Sequence, residues 1–191
     1  MSQADPEPIV DDWRQPTLTG ERLLLRPLIP DDWDALYAVA GDRLIWELHP
    51  AHDRWQESVF REYFANALNF KGAVVVIDRA SGAVVGSSRW QGFDPERSSV
   101  EIGWTFLARS HWGGTWNREL KRLMIGHALR HVELVEFQVG EGNLRSRRAM
   151  EKIGGRLTDR ATVVEMADGP VRHVIYEITR GSFAGGPLAS L

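Results

Sequence analysis

The run from Val100 to Thr115 combines residue types and spacing that point to chemistry. Val100-Glu101-Ile102-Gly103-Trp104-Thr105-Phe106-Leu107 is followed by Ala108-Arg109-Ser110-His111-Trp112-Gly113-Gly114-Thr115, and then by a long helical pattern. A strand that passes through a glycine-containing loop into a helix N-terminus turns unpaired backbone N–H groups, and the positive end of the helix dipole, toward one point. Such a point suits a phosphate or pyrophosphate, and two adjacent glycines let the anion approach the backbone closely. Taken alone, the glycine pair is more often a plain turn. Two competing nucleotide readings fail on residue identity. A Walker loop ends in Gly-Lys-Ser/Thr, whereas Thr115 and Trp116 follow Gly114. A dinucleotide fingerprint needs three spaced glycines, which are missing. His127 and His131 have the i, i+4 spacing of a metal pair. Without an HExxH core or a third ligand they read as packed or rim histidines, and no metal is expected.

Hydrophobic spacing outlines the elements that must hold this loop. Arg22–Arg26 reads as a short strand stopped by Pro27, and Pro30 with Asp31 opens a helix carrying Trp33, Leu36, Tyr37 and Ala40 on one face. A second helix is expected around 54–69, with a loop at 47–52 between the two. Ala73–Ile77 and Val84–Trp90 flank the hairpin turn Asp78–Gly82, and Ser98–Leu107 is a third strand. Trp116–His131 predicts a long helix with Leu120, Leu123, Met124, His127 and Ala128 on its apolar side. A strand at Leu134–Val139, a helix at Leu144–Ile153, and strands at 157–166 and 171–179 around the turn Ala167–Pro170 complete the order. Such a mixture predicts an α+β fold in three layers, a central sheet with helices on both faces. Residues 1–16 read as a flexible leader, 17–180 as the folded domain, and 181–191 as a flexible tail.

Composition bounds the function class. The 191 residues suit one domain, and a net charge of −3 gives no general attraction to nucleic acid or anionic lipid. Cysteine is absent, which excludes disulfides, thiolate nucleophiles and cysteine-ligated metals together. Asp5, Glu7, Asp11 and Asp12 precede any apolar run, the reverse of a signal peptide. No stretch reaches the roughly 20 apolar residues of a membrane span. A cytoplasmic protein is expected, with neither nucleic acid nor membrane as partner. Eight tryptophans imply a heavily aromatic core or a pocket with flat apolar walls.

After the strand ending at Val139 comes Gly140-Glu141-Gly142-Asn143-Leu144-Arg145-Ser146-Arg147-Arg148-Ala149-Met150-Glu151-Lys152-Ile153-Gly154-Gly155. Here the sequence resembles the GNAT acetyltransferase superfamily, and within it the ribosomal-protein (RimJ/RimL-like) N-acetyltransferase branch. The family's Glu-Ile-Gly-aromatic strand has its counterpart in Glu101-Ile102-Gly103-Trp104, and its Trp-Gly-x-Gly-like turn in Trp112-Gly113-Gly114. Its Asn-x-x-Ser-x-x-Ala-x-x-x-x-Gly helix is matched by Asn143, Ser146, Ala149 and Gly154, and Leu18–Pro27 resembles its first strand. The likeness covers residues 17–180. It implies a GNAT-like mixed, mostly antiparallel sheet with helices on both faces, and acetyl-CoA as co-substrate without a metal. It further implies transfer of an acetyl group to a protein N-terminal α-amine or a small-molecule amine by direct attack on the thioester. A non-catalytic acyl-CoA-binding module of the same fold stays open.

The same resemblance implies roles for residues. Glu101 would be the base, through a water, although a lone glutamate is more often solvated or salt-bridged. Ser146 would protonate the CoA sulfur or only hydrogen-bond the pantetheine. Asn143 fits an N-cap and can present its side chain to pantetheine as well. Backbone groups at Trp104, Thr105, Phe106 and Leu107 would bind pantetheine as an added strand. Gly113, Gly114 and Thr115 would take the pyrophosphate, and Trp112, Trp116 and Asn117 are further expected cofactor contacts. Arg109, Lys121, Arg145, Arg147 and Arg148 are candidates for the phosphates, with two of the five expected to touch them. Trp46, His49, Trp55 and Trp90 are candidate walls of the acceptor pocket, against the commoner reading of packed core aromatics. An α-amine, with a pKa of about 8, is easier to deprotonate than a lysine at about 10.4 and suits a single glutamate base better. Monomer and homodimer are both compatible with the chain.

Overall fold

The computed structural model describes residues 13–166 and 168–189. Most of the expected acidic leader, residues 1–12, lies outside them, as do Ala167 and residues 190–191. In chain order the elements are β1 (Leu18–Thr19), β2 (Leu23–Pro27), α1 (Trp33–Ala40), α2 (Arg43–Trp46), α3 (Glu57–Phe70), β3 (Ala73–Asp78), β4 (Val84–Asp94) and β5 (Ser99–Leu107). They continue with α4 (Trp116–Ala128), β6 (Leu134–Gly140), α5 (Leu144–Lys152), β7 (Arg156–Met166), β8 (Gly169–Thr179) and α6 (Arg180–Ala184). The strands form one sheet in the order β1-β2-β3-β4-β5-β6-β8-β7. Every neighbouring pair is antiparallel except β5 and β6. The mixed, mostly antiparallel three-layer fold is the one expected.

Strand β3 shows why the sheet is central. Val74 and Val76 enter the core beneath α4, whereas Ala73 and Val75 enter the core beneath α1 and α3. A strand covered on both faces needs apolar residues at every position, and the β-branched valines fit that pleat. Helix α4 buries Leu120, Met124, Ile125 and Ala128 at 0% exposure, spacing that forms one helical stripe. Helix α3 buries Phe60, Tyr63, Phe64 and Ala67 on the opposite side of the sheet. The turn into α1 is fixed by Asp32, which accepts from the Ile29 N–H at 2.9 Å and takes a two-pronged contact from Arg26 at 2.6 and 2.8 Å.

Two departures from the sequence reading have physical causes. The stretch before the expected loop closes into α2, because the Asp42 side chain accepts from the Leu44 N–H and nucleates a turn. The glycine-rich segment expected as a flexible tail is held. Thr179 and Ser182 cap α6 reciprocally, and Leu188 returns into the main core at 1% exposure. Two apolar anchors, Phe183 and Leu188, suffice against a composition that otherwise reads as loose.

Candidate active site

The site begins where β5 and β6 part. They pair in parallel over only three positions, Ser99↔Leu134, Val100↔Val135 and Glu101↔Glu136. Past Glu101 the edge of β5 that faces β6 has no strand partner. Both strands run on toward helices, β5 into α4 and β6 into α5, so two helix N-termini gather at the same end of the sheet. Open hydrogen-bonding edge and helix ends thus converge.

A bulge shapes the open part of β5. The register with β4 slips between Ser87↔Phe106 and Arg89↔Gly103, and Trp104 takes φ 52°. An extra residue in one strand resets the alternation. Val100 and Ile102 face the α4 core, Trp104 packs on the opposite core, and Phe106 follows it there. The Tyr63 hydroxyl donates to the Trp104 carbonyl at 2.9 Å and holds the bulge. Thr105 points the other way, where its Oγ1 accepts from Lys121 Nζ at 2.8 Å and lies 2.7 Å from Ser88 Oγ.

Glu101 sits at the fork, half-buried, with Gln138 Nε2 donating to its Oε2 at 2.9 Å. Burial raises its carboxyl pKa to about 7, against the lowering pull of the Gln138 bond, and Glu136 adds a smaller upward push. Arg89 pulls it down weakly without an ion pair. A carboxylate poised near neutrality can take up a proton and release it.

The loop before α4 is built for close backbone approach. Gly113 and Gly114 have φ 73° and 53°, and a Cβ at either would meet nothing within 4 Å. Thr115, the N-cap, makes no side-chain cap bond to α4; its hydroxyl instead accepts from Arg22. The first N–H groups of α4 are therefore not taken by a side chain of the cap. At α5 the opposite holds, because Asn143 Oδ1 accepts from the Ser146 N–H at 3.1 Å.

Residues 22–156 match the pattern that defines the acetyltransferase (GNAT) domain. The chain belongs to the GNAT acetyltransferase family. Solved structures with the same fold include a GCN5-related N-acetyltransferase from Brucella melitensis, with a TM-score of 0.75 at 20% identity over 88% of this chain and 80% of that one. Mycobacterium smegmatis RimJ in complex with CoA-disulfide gives a TM-score of 0.66 at 17% identity, covering 87% and 86%. The spermidine N-acetyltransferase from Vibrio cholerae in complex with CoA and spermine gives 0.65 at 16%, covering 86% and 99%. No curated protein sequence is a significant match.

The remaining expected residues of this GNAT acetyltransferase fall into three groups. Glu101, the backbone from Trp104 to Leu107, the Gly113-Gly114 turn with Trp116 and Asn117, and Asn143 with Ser146 all border the open end of the β5–β6 fork or begin the helices there. Phe106 and Leu107 bury their side chains and can offer only backbone. Trp112 is bonded through its indole N–H to the Leu107 carbonyl at 2.9 Å, under the Arg145 guanidinium at 4.2 Å. The five phosphate candidates divide sharply. Arg109 is paired to Asp42 at 2.5 Å, Arg145 also donates to the Ile45 carbonyl, and Arg147 is bonded to Tyr176 and the Glu141 carbonyl. Lys121 is no surface cation: it is 3% exposed, and burial lowers its pKa to about 7. Arg148 is exposed and makes no ion pair among the described residues.

On the acceptor side Trp90 must be corrected. It pairs with Ile102, sits at 0% exposure under α4, and donates its indole N–H to the Met124 carbonyl at 3.3 Å. That face of the sheet is opposite Glu101, whose cross-strand neighbour is Gln91. Trp46 is 1% exposed, with its indole N–H donated to the Ala40 carbonyl, and forms the floor beneath Arg54. His49 is edge-on to Trp46, accepts the Ala51 N–H at Nδ1, and is pushed down by burial to a pKa of about 3, so it stays neutral. Trp55 packs on the α1–α3 core. Sequence reasoning missed Arg54, Tyr63 and Arg89, which lie on the Glu101 side; the polar run Ser87-Ser88-Arg89 inside an otherwise apolar strand was the available signal.

Proposed function

We propose that this acetyltransferase transfers an acetyl group from acetyl-CoA to a neutral amine by direct attack, with Glu101 as the base. When bound, acetyl-CoA supplies the activated acyl group. The chain fits that carrier: the Gly113–Gly114 turn leaves room for a pyrophosphate, and the bare β5 edge offers backbone to pantetheine. Glu101 accepts the proton the amine must lose, directly or through a water, and Gln138 orients its carboxylate. Backbone N–H groups on the β5 edge past Glu101, which has no strand partner, would stabilise developing oxyanion charge. Ser146, in the first turn of α5, would donate a proton to the departing thiolate or only hydrogen-bond the pantetheine. The acceptor is an α-amine of a protein N-terminus or a small molecule, because such an amine is neutral near pH 8 in useful proportion.

The observation that carries this reading is a half-buried carboxylate at the fork with its pKa raised to about 7. The test is Glu101→Gln, followed by thiol release against an amine panel and by calorimetry with CoA. We expect kcat/KM to fall about 10²-fold or more, with loss of the limb that rises through about pH 7, while CoA affinity holds. Binding of CoA without turnover of any amine by the unaltered protein would instead identify a non-catalytic acyl-CoA-binding module.

A further inference from the structure

Two arginines on the Glu101 face of the sheet have no carboxylate ion-paired to them among the described residues. Arg89 on β4 is 1% exposed; its Nη1 donates to Asn66 Oδ1 at 2.8 Å and to Gln91 Oε1 at 2.9 Å, and its buried Nε has no partner among the described residues. Arg54, in the loop before α3, places its guanidinium 5.2 Å from the Trp46 ring and 4.9 Å from the Tyr63 ring. Arg89 approaches the same Tyr63 ring at 5.3 Å and Trp104 at 4.8 Å. One phenol ring serves two cations. Among the described residues no carboxylate stands within the 4.0 Å of an ion pair from either. Burial works against the charge of both, and Arg89 adds to that effect at Arg54. Cations are held in such surroundings when an anion completes them.

We propose that the acceptor is a small amine that also bears a carboxylate, gripped by Arg54 and Arg89 while its amine faces Glu101. The inference rests on the acetyl-transfer reading above. Planar guanidinium forks match carboxylate geometry, and the buried Nε of Arg89 is the donor that lacks a partner among the described residues. The spacing favours a compact molecule. Arg89 pairs across the ladder with Gly103, and Glu101 Oε1 lies 3.1 Å from where a Cβ on Gly103 would stand. Side chains that rise from neighbouring positions of one sheet face point to a compact acceptor such as an amino acid. The arrangement also aids the chemistry. A carboxylate that neutralises Arg89 removes the field that weakens Glu101 as a base.

Thiol release from acetyl-CoA with α- and ω-amino acids, each set against its decarboxylated amine, its carboxamide and its aminophosphonate, tests this in the unaltered enzyme. We expect the acid to exceed the decarboxylated amine in kcat/KM by about tenfold or more, since a buried group left unanswered rejects the analogue. Arg54→Met should bring that ratio toward one, chiefly through KM, and Arg54→Lys should restore part of it. Equal rates for acids and decarboxylated amines, an unchanged ratio in Arg54→Met, or a preference for phosphonates or for N-terminal peptides would overturn the inference and leave acetyl transfer standing. Silence toward every amine would overturn both readings.

Discussion

Glu101 illustrates how one side chain ties pH to two observables at once. Its carboxyl pKa is raised from an ordinary 4.5 to about 7, first by burial. The folded state therefore holds the proton more tightly than the unfolded chain does. That contribution to stability is fully present below about pH 4.5 and is lost as pH climbs through about 7. Glutamine has nothing to ionise. We expect Glu101→Gln to match the parent in unfolding free energy at pH 4.5 and to exceed it increasingly up to pH 8, by at most about 3 kcal/mol; a constant difference across that range would contradict the environment described. At this scale the sequence was partly legible. Glu101, Asn143 and Ser146 were found because their spacing carries a motif. Arg54 and Arg89 were not, because what distinguishes them is burial beside aromatic rings brought in from three other segments. Trp90 was misplaced because a pocket wall and a core residue look identical until the strand's facing is known.

Among the elements, the turn between β5 and α4 is the most demanding in backbone geometry. Gly113 and Gly114 occupy left-handed conformations with open space around them, so a side chain would be resisted by the backbone alone. Gly114→Ala should therefore cost about 1–2 kcal/mol in urea unfolding, and it should weaken CoA binding in calorimetry by about tenfold as the turn relaxes. An unchanged dissociation constant would place the pyrophosphate elsewhere. Elements with strong periodicity, such as α3, α4 and the valine-rich β3, were readable directly. The bulge at Trp104 was not, since nothing in Gly103-Trp104-Thr105 shows that two consecutive residues will face the same way. Helices α2 and α6 escaped because each is set by one or two polar cap bonds rather than by an apolar stripe.

For the molecule as a whole, the C-terminal segment belongs to the core. Leu188 is 1% exposed among residues contributed by the sheet, α4 and α5. Leu188→Ala should destabilise the protein by about 2–5 kcal/mol in chemical denaturation, a loss no flexible tail would produce. The layer architecture followed from the alternation of strand and helix signals. The order of strands did not, because placing β8 rather than β7 beside β6 depends on contacts between distant segments.

The short parallel pairing also sets the mechanics of the sheet. Five strands on one flank and three on the other are joined through a three-residue isthmus, with the rest of the seam unlaced. A donor lying along that seam would act as a clasp between the two flanks, so the line along which the molecule is easiest to prise apart is the same line its cargo is proposed to zip shut.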